Sequence, residues 1–468
     1  MRTILGFVVI VALQTFLLAS LPANGADAGA PPQVVRVGSS EKICQLIGNV
    51  DWETGKPTQA LTFTKYGLDA GDLGYPVDLG SELVLLFGDS WPPGHPAGSL
   101  PEFPPDDSVG VTDRQDPPTP VSCLQLRIND TGSVPEHFAP ATIIHRPPIK
   151  QGFFNVPSGG VAVAGDLYAF FWINHCVNPN PLVPSPAAPL ALPAVNAAHH
   201  CAEIPANSSL GVGVMARSVD EARTFHDVVP MPTGFVYTTA VNATEEQDLP
   251  ADQQLGIFIF SAARYRVSVP YLAYAPTGTF SDPSTWRFFT GRDATGRPEW
   301  VTLDEWNGAP ASIIRRTWAP PGNAEIFTPD SNEQRCIGEM SVTWNRPLHM
   351  WLLLYQCAGA VEARVALAPW GPWSEPTELL GRADNLGCHL VMLPQGCGSR
   401  RDYWPAKHPN GQFTRGGLYA PYVLNRYTTD ASTSGVRRVT IYWTLSTWNP
   451  YVVSIMRATI ESETPKAP

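Results

Sequence analysis

Leu83-Val84-Leu85-Leu86-Phe87, stopped by Gly88-Asp89, is the stretch on which the fold turns. Five consecutive apolar residues ended by a turn pair describe a short strand, buried on both faces. The same texture recurs outward from it. Gly160–Trp172 reads as a hairpin turning at Ala164-Gly165-Asp166. Ile257–Phe260, Tyr271–Tyr274, Ser341–Trp344, Trp351–Tyr355, Val361–Leu367, Tyr419–Leu424, Val439–Leu445 and Val452–Met456 read as further strands. They are rich in Val, Ile, Tyr, Phe and Trp, residues that suit a pleated, half-buried surface. No segment sustains a 3.6-residue apolar period, so helices are expected to be few and short. The strongest strands centre near residues 85, 163, 258, 340 and 421. A long period with several short strands per unit is the pattern of propeller blades carrying insertions. Ala275–Pro283 and Ala368–Pro376 echo one another, each closing a strand with a polar turn and an aromatic residue. The expected fold is all-β, a five-bladed β-propeller with disulfide-tied loop insertions. A two-domain β-sandwich is the rival.

Composition agrees. The chain has 468 residues, 44% hydrophobic, with 48 Pro and 39 Gly, which leaves long helical bundles a poor fit. Thirty-one Lys and Arg against 42 Asp and Glu give a net charge of −11, so no nucleic-acid partner is expected. Residues 1–26 read as a secretory signal, with Arg2 ahead of the apolar run Ile4–Leu18 and small residues around Ala23–Ala28. Cleavage is expected after Gly25 or Ala28, giving a secreted or periplasmic protein with no membrane span; an uncleaved anchor is the alternative. The expected organisation is an N-terminal extension over 27–59, a propeller over 60–460 with a Pro/Ala-rich insertion at 174–207, and a frayed tail at 461–468. A monomer is expected.

The eight cysteines all follow the signal, and an even count in an exported chain favours disulfides. A hairpin turning at Asn345–Leu348 places Cys336 directly across from Cys357. Cys176–Cys201 would close the Pro/Ala-rich loop and Cys388–Cys397 a short one, leaving Cys44–Cys123. His175-Cys176, His199-His200-Cys201 and Cys388-His389 offer a competing metal reading, but the CxxC zinc spacing is absent. No metal and no cofactor is expected.

A propeller gathers the ends of its innermost strands around one axis, so carboxylates there meet and perturb one another. Glycoside hydrolysis uses that arrangement: one carboxyl group gives a proton while a second attacks or activates water. Asp89 follows the apolar run, where an inner strand is expected to leave the sheet. Asp72 lies in the Gly-flanked Asp69–Pro76, and Glu339 interrupts the apolar Ile337–Trp344. An ionised group among apolar neighbours is costly unless it is paired or faces a wet cavity. The alternative roles are a turn aspartate for Asp72 and Asp89 and an Arg partner for Glu339. Trp91, Trp404 and Trp448 adjoin polar or Pro-rich turns and are candidate sugar platforms. No GxSxG or HExxH pattern occurs.

Asp72-Leu73-Gly74, Leu86–Trp91, Gly338–Val342, Tyr419-Ala420-Pro421-Tyr422 and Thr444–Tyr451 together resemble an exported bacterial family long known as a domain of unknown function. The family includes endo-D-arabinanases. The resemblance spans roughly residues 60–458. It implies a five-bladed propeller, acidic residues in an axial funnel, and an arabinan-type polysaccharide as substrate. Asp72, Asp89 and Glu339 match the family's acidic positions and are the expected catalytic residues. Trp91, Tyr419, Tyr422, Trp448 and Asn449 are the expected substrate-binding residues. The insertion at 174–207 departs from the family pattern. A non-catalytic propeller that binds a glycan or a protein shares every strand argument and is the alternative function.

Overall fold

The computed structural model describes residues 31–91, 107–128, 155–173, 212–263, 268–308, 324–326, 336–357, 359–381, 417–433, 435–448 and 450–463. Strand β1, Val35–Gln45, comes first. Five antiparallel sheets follow from residue 70. The first holds β2 (Ala70–Asp78), β3 (Leu83–Trp91), β4 (Ser108–Thr112) and β5 (Arg127–Ile128); the second holds β6 (Asn155–Val163), β7 (Asp166–Ile173), β8 (Val212–Ser218) and β9 (His226–Pro230). The third has five strands: β10 (Tyr237–Asn242), β11 (Gly256–Ala262), β12 (Pro270–Pro276), β13 (Arg287–Arg292) and β14 (Pro298–Val301). The fourth holds β15 (Met340–Asn345), β16 (Met350–Cys357), β17 (Ala360–Ala366) and β18 (Thr377–Leu380). The last holds β19 (Gly417–Val423), β20 (Thr429–Asp430), β21 (Val436–Trp448) and β22 (Val452–Glu463). Helices among the described residues are short, such as Thr62–Tyr66 and Leu303–Gly308.

This is the five-bladed propeller. The opening strand of each sheet, β2, β6, β10, β15 and β19, neighbours the opening strand of the next, and β19 returns to β2. These strands keep one free edge toward the axis, and unpaired edge groups need other partners. Small hydroxyls supply them between blades. Ser158 Oγ accepts from the Thr238 amide at 3.1 Å, and Ser341 Oγ accepts from the Val423 amide at 2.9 Å. Apolar runs such as Met350–Cys357 are buried along their whole length, because both faces of a blade pack on neighbouring blades. Each large side chain so buried contributes about 1.5–3 kcal/mol.

Three expectations change. Residues 35–45, read as part of an extension ahead of the propeller, form the outermost strand of the fifth blade, paired antiparallel with β22. Residues 461–463, read as frayed, continue β22. The alternating pattern of 35–45 is half exposed and carries little apolar signal, which is why the strand was missed. The periodic centres were also mixed: residues 85 and 258 lie on second strands, β3 and β11, whereas 340 and 421 lie on innermost ones.

Cys336–Cys357 and Cys44–Cys123 are both disulfides. The first forms although its hairpin turns one residue later than expected: Asn345 pairs with Met350, so the turn is Arg346–His349. That register would set Cys357 against Gly338. Cys336 reaches it because the chain has left the ladder before Met340, with Cα atoms 5.0 Å apart. The other two expected pairs, the histidines beside them, and the insertion at 174–207 lie outside the described residues, as does the segment read as a signal.

Cys44–Cys123 joins β1 of the last blade to the β4–β5 connection of the first across 79 residues. Closing a loop of that size in the unfolded chain is worth about 4 kcal/mol. Replacing both cysteines by Ala is therefore expected to lower unfolding stability by about that amount. Urea titration is the measurement, with a somewhat steeper slope because the uncrosslinked unfolded chain exposes more surface, and a loss below about 1 kcal/mol would mean that strand pairing alone seals the ring.

Candidate active site

The two ends of the chain's propeller meet at one cluster. Asp72 sits near the start of β2, Asp89 near the end of β3, Tyr419 near the start of β19, and Tyr451 in the β21–β22 turn. Tyr419 Oη donates to Asp72 Oδ2 at 2.8 Å. Tyr451 Oη lies 2.6 Å from Asp72 Oδ2 and 2.8 Å from Asp89 Oδ2. Asp72 is 6% exposed, and Asp89 is the more open of the two.

The local backbone is bent to aim these groups. The β2–β3 ladder is irregular between Ala70 and Asp72 and again between Leu73 and Tyr75. Leu73 and Gly74 both take left-handed φ, at 63° and 75°, and Asp89 itself has φ 36°. The β19–β21 ladder skips between Tyr419 and Tyr422, with Ala420 at φ 53°. Bulges of this kind redirect side chains, and non-glycine residues at positive φ gather at functional sites. Gly88 pairs with Asp72, and a Cβ there would meet Asp72 Oδ1 and Leu73 Cδ1, each at 2.7 Å. The glycine ahead of Asp89 is thus the space into which the other aspartate fits.

Proton counting constrains the cluster before any titration. Three oxygen contacts link Tyr419, Tyr451, Asp72 and Asp89, but the two phenols carry only two protons. The third contact needs a proton on a carboxyl group. Two arrangements satisfy all three: the extra proton sits on Asp72 or on Asp89, the protonated group donates to Tyr451 Oη, and Tyr451 donates to the other, ionised carboxylate. Titration places the proton on Asp72. Burial pushes the Asp72 carboxyl up to about 8, helped by the charges of Asp89 and Glu339 and opposed by the tyrosine bonds. Burial takes Asp89 up to about 6, opposed by Tyr451. The Tyr451 phenol is held well above its ordinary 10.0, by burial first and then by the two aspartates, so it remains protonated. Asp72 Oδ1 is buried with no hydrogen-bond partner among the described residues.

Glu339 is buried at the bend leading into β15, with its carbonyl accepting from the Gln356 amide at 3.4 Å. Its charge acts on Asp72. The three acidic positions singled out from sequence are therefore electrostatically linked, although Asp89 lies on the second strand of its blade, not the innermost.

The aromatic expectations divide. Tyr419 bonds Asp72 of the acidic pair. Trp91 is 4% exposed, packed in the same core cluster as Ala70 and Tyr451, so it presents almost no face to a sugar. Tyr422 is fully buried with its ring edge-on to Tyr75, centroids 4.8 Å apart, which is core packing across the axis. The Trp448 side chain, Asn449 and Trp404 lie outside the described residues. Tyr451 was missed as a site residue. Its signal was present in the Thr444–Tyr451 motif, but a tyrosine in a turn has no visible partner until the ring closes.

No helix among the described residues is long and apolar enough to cross a membrane. No curated protein matches the chain. Comparison with solved structures finds similarity over most of the chain at low identity and low TM-score. A subtype N11 neuraminidase-like protein of A/flat-faced bat/Peru/033/2010 (H18N11) is 10% identical, with 92% of this chain and 99% of that one covered and a TM-score of 0.32. An exo-β-1,3-galactanase from Phanerochaete chrysosporium is 9% identical, with 91% and 97% covered and a TM-score of 0.34. A GH62 hydrolase in complex with xylotriose is 9% identical, with 90% and 98% covered and a TM-score of 0.34. Glu339, Tyr419 and Tyr451 fall within residues 198–457, and Asp72 and Asp89 precede them. Those residues, more than half of the chain, match the family described as a domain of unknown function (DUF4185), and the chain belongs to it.

Proposed function

We propose that the protein is a secreted glycoside hydrolase that cleaves arabinan-type furanoside polysaccharide by a retaining mechanism. The observation that carries the reading is the Asp72–Tyr451–Asp89 cluster, one protonated carboxyl group beside one ionised one. The Asp72 and Asp89 oxygens share one phenol, so their separation is capped by the two bond lengths, 2.6 and 2.8 Å. Two carboxyl groups whose Oδ2 atoms meet on one hydroxyl are closer to the ~5–5.5 Å spacing of a retaining pair than to the ~6.5–9.5 Å of an inverting one, which supports retention. The choice of arabinan rests on the resemblance of the Asp72, Asp89 and Glu339 motifs to a family that includes endo-D-arabinanases.

In this mechanism the Asp89 carboxylate attacks the anomeric carbon as the glycosidic C–O bond breaks, and the Asp72 proton passes to the departing oxygen. Water then attacks the glycosyl ester, its proton goes to Asp72, and Asp89 leaves as carboxylate. Tyr419 and Tyr451 hold the two carboxyl groups in register. Glu339 acts through the charge it adds beside Asp72.

The test is incubation of purified protein with arabinan, arabinogalactan, lipoarabinomannan and fructan, reading new reducing ends and the anomeric configuration of the first product by NMR. Release from an arabinan-containing substrate with retained configuration is expected. Inverted product would remove Asp72–Asp89 as the reacting pair. Binding without new reducing ends would mark a glycan-binding propeller.

A further inference from the structure

Tyr451 lies in the turn that joins β21 to β22, and that turn straddles Asp72. On one side Ser446 Oγ donates to the Leu73 carbonyl at 3.3 Å, and on the other the Gly71 amide donates to the Tyr451 carbonyl at 3.2 Å. The β21–β22 ladder ends at the pair Thr447 and Val452. A tight turn is often closed by the N–H three residues beyond its first carbonyl. Counted from Thr447 that residue is Pro450, which has no N–H. The Thr447 hydroxyl closes the turn instead, donating to the Pro450 carbonyl at 2.5 Å from a buried position.

We infer that Thr447 is a positioning residue for the acidic pair, acting through Tyr451. The Pro450 carbonyl belongs to the peptide group just before the Tyr451 Cα, and the Tyr451 carbonyl to the one just after it. Thr447 holds the first and Gly71 holds the second, so the backbone is fixed on both sides of the phenol's attachment point. That precision matters because one hydroxyl reaches two carboxyl groups, at 2.6 Å from Asp72 and 2.8 Å from Asp89. Hydrogen bonds weaken steeply when bent, so a small swing of the turn loses one of the two. The bonds of Thr447 itself go to backbone carbonyls, which makes its role indirect. The titratable groups that face Tyr451, namely Asp72, Asp89 and Tyr419, all lie on other elements and are left in place by a change at Thr447.

The effect on rate rests on the proposed hydrolase reading, so the experiment carries a second readout that needs no substrate. Thr447→Val keeps the branched shape and removes the hydroxyl, whereas Thr447→Ser keeps the hydroxyl. In the intact protein Thr447→Val is expected to lower kcat by about 10–10²-fold, the scale of a small misplacement. It is also expected to move the acidic limb of kcat/KM to higher pH, because Asp89 loses a bond that lowers it. Thr447→Ser is expected to restore both rate and profile. Placed on top of Tyr451→Phe, Thr447→Val is expected to change nothing further, since the group it acts through is already gone. The substrate-free readout is an NMR pH titration of protein with isotope-labelled aspartate carboxyl groups. There the Asp89 midpoint is expected to rise in Thr447→Val and to stay put in Thr447→Ser. A folded Thr447→Val with an unmoved midpoint and profile overturns the inference, and so does a full further loss of rate in the Tyr451→Phe background. If Thr447→Val does not fold, Thr447→Ala carries the same expectations; failure of both to fold makes the residue structural and also overturns it. Wild-type protein that releases no reducing ends, while the Asp89 midpoint still moves in Thr447→Val, would end the hydrolase reading and leave the positioning role standing.

Discussion

Asp89→Asn is expected to lower arabinan cleavage by about 10⁴-fold or more while the protein stays folded. Asp89 is the member of the pair that is ionised at neutral pH and open to substrate, so the amide removes the attacking oxygen rather than a supporting contact. The amide keeps the shape and can still accept from Tyr451. Stability should not fall. Asp89 has a folded-state pKa of about 6 against an ordinary 3.8, so the fold disfavours its charge. Its favourable contribution is present below about pH 4 and is lost as pH rises through about 6, and a neutral residue avoids that loss. Melting at pH 7 should be at or above the wild-type temperature. Product release at a wild-type rate would take Asp89 out of the mechanism. Inactivity together with a much lower melting temperature would point to a structural role.

Tyr451→Phe is expected to lower kcat by about 10²–10³-fold, the range seen when one preorganised hydrogen-bonding group is lost from an active site. A pH profile separates this from simple damage. For the wild type, kcat/KM should rise through about pH 6 as Asp89 ionises and fall through about pH 8 as Asp72 loses its proton. The two limbs belong to the coupled pair as a whole. The Tyr451 hydroxyl donates to the Asp89 carboxylate and lowers it, so its removal should move the acidic limb to higher pH. A variant that is slower with an unmoved profile would place Tyr451 outside the proton arrangement.

Much of the architecture was legible in the chain. Runs such as Leu83–Phe87 and Trp351–Tyr355 can satisfy their backbone and their apolar side chains together only as buried strands, and their spacing implied the five blades. Gly88-Asp89 marked a special backbone position, though the reason for the glycine, room for the Asp72 carboxyl group, involves a residue on another strand. β1 escaped notice because an outermost strand is only partly buried and needs no apolar run. Trp91 was misjudged because an aromatic beside a Pro-rich segment looks exposed until its neighbours are in place.

Local residue type thus determined which segments are strands and which side chains are acids. Ring closure alone decided what those acids became. Tyr419 and Tyr451 stand 347 and 379 residues from Asp72 along the chain, yet bond the same oxygen. Proton affinity depends on the water removed from a carboxyl group and on the charges and donors beside it, and the fold supplies both only when its first and last blades meet.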